Sequence, residues 1–166
     1  MTRSSDVAAF LARVPLFARV APADLEAVGQ RLRERTLRKG QVLFREGEAG
    51  EEMYVVRQGS MVISKPVTGN VEQVLARAGP GDFFGEMSLF DRAPRSATLQ
   101  AETDTTLLVL DRDNLERLIE TSPAAAASFF HALVRVFIER LRNSTDLVAE
   151  VTRWGLEATG LDVEGR

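Results

Sequence analysis

The chain has 166 residues, which suits one domain with a helical appendage. Hydrophobic residues make up 45% and charged residues 27%, enough to bury a core and stay soluble, so a disordered chain is excluded. A net charge of -3 with scattered positive residues supplies no field for nucleic acid, and the lack of cysteine excludes a disulfide framework or a thiolate site.

The N-terminal MTRSSDVAAFLARV breaks its apolar run at Arg13 and has no secretory core segment. No stretch reaches the length of a membrane span, and the composition suits a reducing cytoplasm. From Asp6 to about Arg35, Leu25, Val28 and Leu32 fall at helical spacing, with Pro22 placed for a first helical turn. From Thr36 to Leu110, short runs rich in Val, Leu and Phe alternate with glycines at 47, 50, 59, 69, 79 and 81, which read as turn formers. This spacing predicts a compact antiparallel β jelly-roll, or double-stranded β-helix.

From Asp111 the chain is helical again. Ser122-Pro123 reads as an N-cap followed by proline at the first position, and no glycine or proline follows until Gly155. Phe130, Val134, Phe137, Leu141, Ser144, Val148 and Val151 step by 4 and 3 in turn, which is a heptad seam with one polar position. The seam admits an amphipathic helix on its own domain or a parallel dimer, and its unbroken length favours the dimer. The fold class is therefore α+β: N-terminal helices, a β jelly-roll and a long C-terminal dimerisation helix. Expected boundaries are 6–122 for the roll with its flanking helices, 123–154 for the dimerisation helix and 155–166 for a tail.

The chemistry concentrates in PGDFFGEMSLFDRAPRSATLQA, Pro80 to Ala101, where two strand-like runs flank Gly85-Glu86, a short helical stretch and Arg95. Catalytic readings are poor. The only histidine, His131, lies beside the helical seam, so the roll offers no histidine for a metal or a triad, and no G-x-S-x-G elbow occurs. One acid and one base on facing sides of a cleft match a 3′,5′-cyclic nucleotide. Arg95 can make paired charged hydrogen bonds to the phosphate oxygens, and Glu86, an acceptor-only carboxylate, can take the ribose 2′-OH proton. Gly85 permits close backbone approach, the amides opening the EMSLF turn at Met87 and Ser88 add donors, and Ser96 offers one more.

At these residues the sequence resembles the cyclic nucleotide-binding domain family. The family's phosphate-binding cassette is matched by Phe84-Gly85-Glu86-Met87-Ser88-Leu89, then FDRAP, then Arg95-Ser96-Ala97-Thr98. The step from Gly85 to Arg95 is similar to cassettes of bacterial cyclic nucleotide-gated channels and protein kinase A regulatory subunits. The similarity runs from about Phe10 to Val151. Arg140-Leu141-Arg142-Asn143-Ser144-Thr145 resembles the dimer-helix segment of catabolite activators, whose hydroxyl residues meet adenine, and TGLDVEGR resembles the hinge that leads there into a DNA-binding domain. The chain ends at that point, so direct DNA binding is not expected.

The resemblance implies a bacterial, non-enzymatic sensor without a metal or cofactor. Its ligand is a cyclic mononucleotide, cyclic AMP favoured over cyclic GMP, and it forms a homodimer whose output goes to an unidentified effector protein. The ligand-binding set is Gly85, Glu86, Met87, Ser88, Arg95, Ser96, Ala97, Ser144 and Thr145. Leu75 is a further candidate, as an apolar wall for the base, and Trp154 is expected to pack in the dimer. The alternatives are a ligand-independent dimerisation or interaction module, and a sensor of cyclic GMP or cyclic di-GMP.

Overall fold

The computed structural model describes residues 3–69 and 71–158, with side chains from 5 to 153 apart from 70. Two helices open the chain, α1 (Arg3–Leu11) and α2 (Pro22–Arg31), separated by a 3-10 turn at Pro15–Phe17. Eight strands follow: β1 (Arg33–Leu37), β2 (Val42–Phe44), β3 (Glu52–Gln58), β4 (Met61–Thr68), β5 (Val71–Ala78), β6 (Phe83–Phe84), β7 (Thr98–Ala101) and β8 (Thr105–Asp111). A short helix α3 (Glu86–Asp91) interrupts them between β6 and β7, and α4 (Arg112–Thr121) and α5 (Pro123–Ala158) close the chain. The strands form two antiparallel four-stranded sheets, ordered β1-β8-β3-β6 and β2-β7-β4-β5, which is the jelly-roll that the strand spacing predicts.

The roll closes around Leu37, Leu43, Phe44, Tyr54, Val56, Met61, Phe84, Leu99, Leu107 and Val109. β3 and β8 carry unbroken apolar runs because both of their faces are covered. Tyr54, Val56, Leu107 and Val109 point into the roll. Met53, Val55, Leu108 and Leu110 instead meet Phe17, Val28, Leu32 and Phe129 around a small apolar gap. Phe17 and Phe129 stack with centroids 6.0 Å apart, and Ser128 Oγ donates to Asp24 Oδ2 at 2.7 Å. The first turns of α5 are thereby tied to the N-terminal helices. Losing a buried ring such as Phe129 costs about 3–5 kcal/mol.

β1 departs from the sequence expectation, because the helical pattern was extended to Arg35 and the strand begins at Arg33. RERTL exposes four of its five residues at the sheet edge, so no apolar alternation marks it. Its charges are used across the sheet: Arg33 bridges Asp111 and Glu52, and Glu34 pairs with Arg57. Charged side chains on an edge strand also discourage pairing with another chain.

Asp111 caps α4, its side chain accepting from the Asn114 amide at 2.8 Å. Pro123 opens the 36-residue α5. The chain divides into two compact units, one up to Phe129 and the other from Phe130 onward, with the division inside α5. In the second unit Val134, Ile138, Leu141, Leu147, Val148 and Val151 are exposed. Among the described residues, no helix is long and apolar enough to cross a membrane. Trp154, as a side chain, and Thr159–Arg166 lie outside the described residues.

Candidate functional site

Arg95 lies between α3 and β7, outside any regular element, and its backbone is held by the β2–β3 loop. Gly47 N–H donates to the Arg95 carbonyl and Arg95 N–H to the Glu48 carbonyl, both at 2.8 Å. The side chain turns inward and is 4% exposed. Nη1 donates to the Glu52 carbonyl at 2.9 Å and to the Gly85 carbonyl at 3.4 Å. Cζ stands 4.2 Å from the centroid of the Phe44 ring and 5.6 Å from that of Tyr54. Nε is buried with no hydrogen-bond partner. Burial lowers the guanidinium pKa from its ordinary value, while the neighbouring Tyr54, Glu52 and Glu48 act to raise it. Arginine starts so high that the group stays a cation.

The other end of the cassette folds back against this cation. Gly85 caps α3 with φ +79°, a left-handed conformation that favours glycine, and a Cβ there would sit 2.8 Å from both Arg95 Nη1 and the Glu52 carbonyl oxygen. Glu86 opens α3 and is 5% exposed. Ser88 and Ala97 are buried, whereas Met87 and Ser96 are exposed. Gly85 thus lies directly against Arg95, while Glu86, Ser88 and Ala97 are buried in the same part of the chain.

Glu52 connects the site to the sheet edge. Its carbonyl serves Arg95, and its carboxylate accepts from the Tyr54 hydroxyl and from Arg33 Nη2. Burial raises the Tyr54 pKa well above its ordinary value, and the hydrogen bond and charge of Glu52 add to the effect. Glu51, one residue earlier, stands 3.9 Å from Arg92 at the end of α3 and 3.6 Å from Arg112 at the start of α4.

Leu75 is half exposed on the edge strand β5, where the pairing steps from Ile63↔Ala76 to Ser64↔Val74 and leaves Leu75 as the extra residue of a bulge. Ser144 and Thr145 belong to the second unit and are exposed, and Thr145 Oγ1 donates to the Leu141 carbonyl at 3.0 Å. His131 is exposed on α5.

The sequence pattern missed Phe44, Tyr54, the Glu52 carbonyl and Gly50. Gly50 read as a turn former, yet it has no left-handed φ; a Cβ there would overlap the Arg95 guanidinium. Its spacing from Gly47 gave no sign of this. A buried cation with an unpartnered N–H suits a small anion. Among the described residues, no group of three or more His, Cys, Asp or Glu side chains could hold a metal ion.

The sequence pattern of the family described as "Cyclic nucleotide-binding domain" matches residues 34–122. The chain belongs to the cyclic nucleotide-binding domain family. The match runs from the second residue of β1 to just past the end of α4, with the cassette inside it. This cyclic nucleotide-binding domain is 31% identical to the CRP-like cAMP-activated global transcriptional regulator of Mycobacterium tuberculosis, over 85% of the chain and 61% of the relative. It is 41% identical to a cyclic nucleotide-gated potassium channel of Mesorhizobium japonicum, over 72% of the chain and 32% of the channel. It also superimposes on the crystal structure of the Thermus thermophilus catabolite activator protein with a TM-score of 0.74 and 33% identity, covering 83% of this chain and 63% of that one. The chain spans about three fifths of the length of the first curated relatives it matches.

Proposed function

We propose that this domain is a cytoplasmic sensor of a cyclic mononucleotide, cyclic AMP in preference to cyclic GMP, and that it performs no catalysis. The observation that carries the reading is the buried Arg95 guanidinium, whose Nε has no partner, with Glu86 of the same cassette also buried. Arg95 binds the exocyclic phosphate oxygens and Glu86 accepts the 2′-OH. Gly85 gives the sugar and phosphate room, and the Met87, Ser88, Ser96 and Ala97 segments supply amide or hydroxyl donors. A ligand-independent dimerisation module would have no use for a buried cation with an unfilled donor.

The preference for adenine rests on Ser144 and Thr145, whose hydroxyls can accept from the adenine N6 amine and donate to its ring nitrogens. The similarity to a cAMP-activated regulator supports the same choice. The exposed apolar positions of α5 support a homodimer through residues 123–154, in which Leu141, Ser144, Val148 and Val151 face the partner helix. Ligand binding biases a two-state equilibrium, and an effector protein reads the favoured state.

Calorimetric titration with cyclic AMP, cyclic GMP and cyclic di-GMP tests this. Cyclic AMP is expected to bind most tightly and cyclic di-GMP not to bind. Replacing Ser144 and Thr145 together by Ala should narrow the gap between the two mononucleotides. Tightest binding of cyclic di-GMP, or no binding of any of the three, would contradict the assignment.

A further inference from the structure

The contacts around Arg95 stabilise its charge without neutralising it. Nη1 donates to two carbonyl oxygens, while Cζ rests 4.2 Å from the centre of the Phe44 ring. A carboxylate in that position would stabilise the cation and also compete with an incoming anion for its N–H groups. An aromatic face attracts the cation through the ring quadrupole and consumes no donor. The buried Nε therefore stays available.

Two local devices create this arrangement. The pairing of β2 with β7 slips from Val42↔Gln100 to Phe44↔Leu99, so Leu43 is the extra residue of a bulge. In a regular strand Leu43 and Phe44 would face opposite sides, yet both belong to the interior of the roll. The bulge thus aims Phe44 inward at the guanidinium. On the loop that follows, Gly50 lies against Nε, Cζ and Nη2, where any Cβ would overlap them. The Gly50 backbone is compatible with other residues, so the close approach is what requires glycine.

We propose that Phe44 and Gly50 are positioning residues for the ligand's phosphate: together they fix the Arg95 fork in one orientation with its Nε–H unspent. The proposal rests on the reading of Arg95 as the phosphate ligand. It holds that both residues affect affinity only through Arg95.

The test is calorimetric titration of cyclic AMP into the wild-type chain, Phe44→Leu, Phe44→Tyr, Gly50→Ala and Arg95→Ala, and into Phe44→Leu and Gly50→Ala each combined with Arg95→Ala. Side-chain NMR of the Arg95 Nε–H accompanies it. Phe44→Leu should weaken binding by about 2- to 30-fold, the range of a cation–π contact. Phe44→Tyr, which keeps the ring, should restore affinity. Gly50→Ala should weaken binding further, and it supplies the same test should Phe44→Leu fail to fold. Neither change should matter once Arg95 is Ala. The Nε–H proton should be shifted upfield by the ring in the wild type and lose that shift in Phe44→Leu. Wild-type affinity in both single variants, or equal losses with and without Arg95, would overturn the positioning role. Wild-type affinity in Arg95→Ala would instead overturn the reading on which it rests.

Discussion

At the scale of single residues the proposed site rests on two charged residues, Glu86 and Arg95, of types that ordinarily avoid burial. Glu86 and Arg95 are 5% and 4% exposed, and Arg95 Nε has no hydrogen-bond partner. For Glu86 the expected partner is a ribose hydroxyl. A 2′-deoxy ligand should bind about 1.5–3 kcal/mol more weakly to the wild type, and the penalty should shrink in Glu86→Gln, where the acceptor is uncharged. Comparing the two ligands on the two proteins by calorimetry checks this, and equal binding of both ligands to the wild type would remove the role. These two residues could be singled out as candidates in the sequence because a linear cassette carries them at fixed spacing. Phe44 and Gly50 were not, since they reach Arg95 only through a strand bulge and a loop. The Glu52 carbonyl could not be read at all, because any residue would supply it.

At the scale of elements, β3 and β8 announced themselves by their apolar runs and α4 by its leading aspartate, whereas the charged edge strand β1 was hidden in an apparent helix. Its partner Asp111 serves two elements. It caps α4 through Asn114 and pairs with Arg33 of β1. Burial pushes the Asp111 pKa up, but the Asn114 hydrogen bonds and the Arg33 guanidinium outweigh it, and the net shift is downward. A carboxyl depressed on folding adds stability above its unfolded value of about 3.9, and that stability is lost as pH falls through its lower folded value. Asp111→Ala should therefore destabilise the domain by about 0.5–2 kcal/mol at pH 7. Asp111→Asn keeps an acceptor but no charge, so its deficit should narrow as pH falls below about 4. Denaturant unfolding at pH 7 and pH 3 measures both, and a deficit independent of pH would show that the charge contributes nothing.

At the scale of the whole molecule, a β-roll unit carries the cassette and a helical unit carries the apolar seam with Ser144 and Thr145. In the sequence the 4 and 3 steps persist for three heptads, which is why a partner helix is proposed. In the proposed sensor, affinity for a cyclic mononucleotide must come through Arg95. Calorimetric titration of cyclic AMP into wild-type and Arg95→Ala protein, with folding checked by circular dichroism, measures this directly. The expected loss is about 2–5 kcal/mol, the cost of removing one partner of a desolvated charge pair, or roughly 30- to 4,000-fold in affinity. An Arg95→Ala protein that folds and binds cyclic AMP as tightly as the wild type would contradict the account.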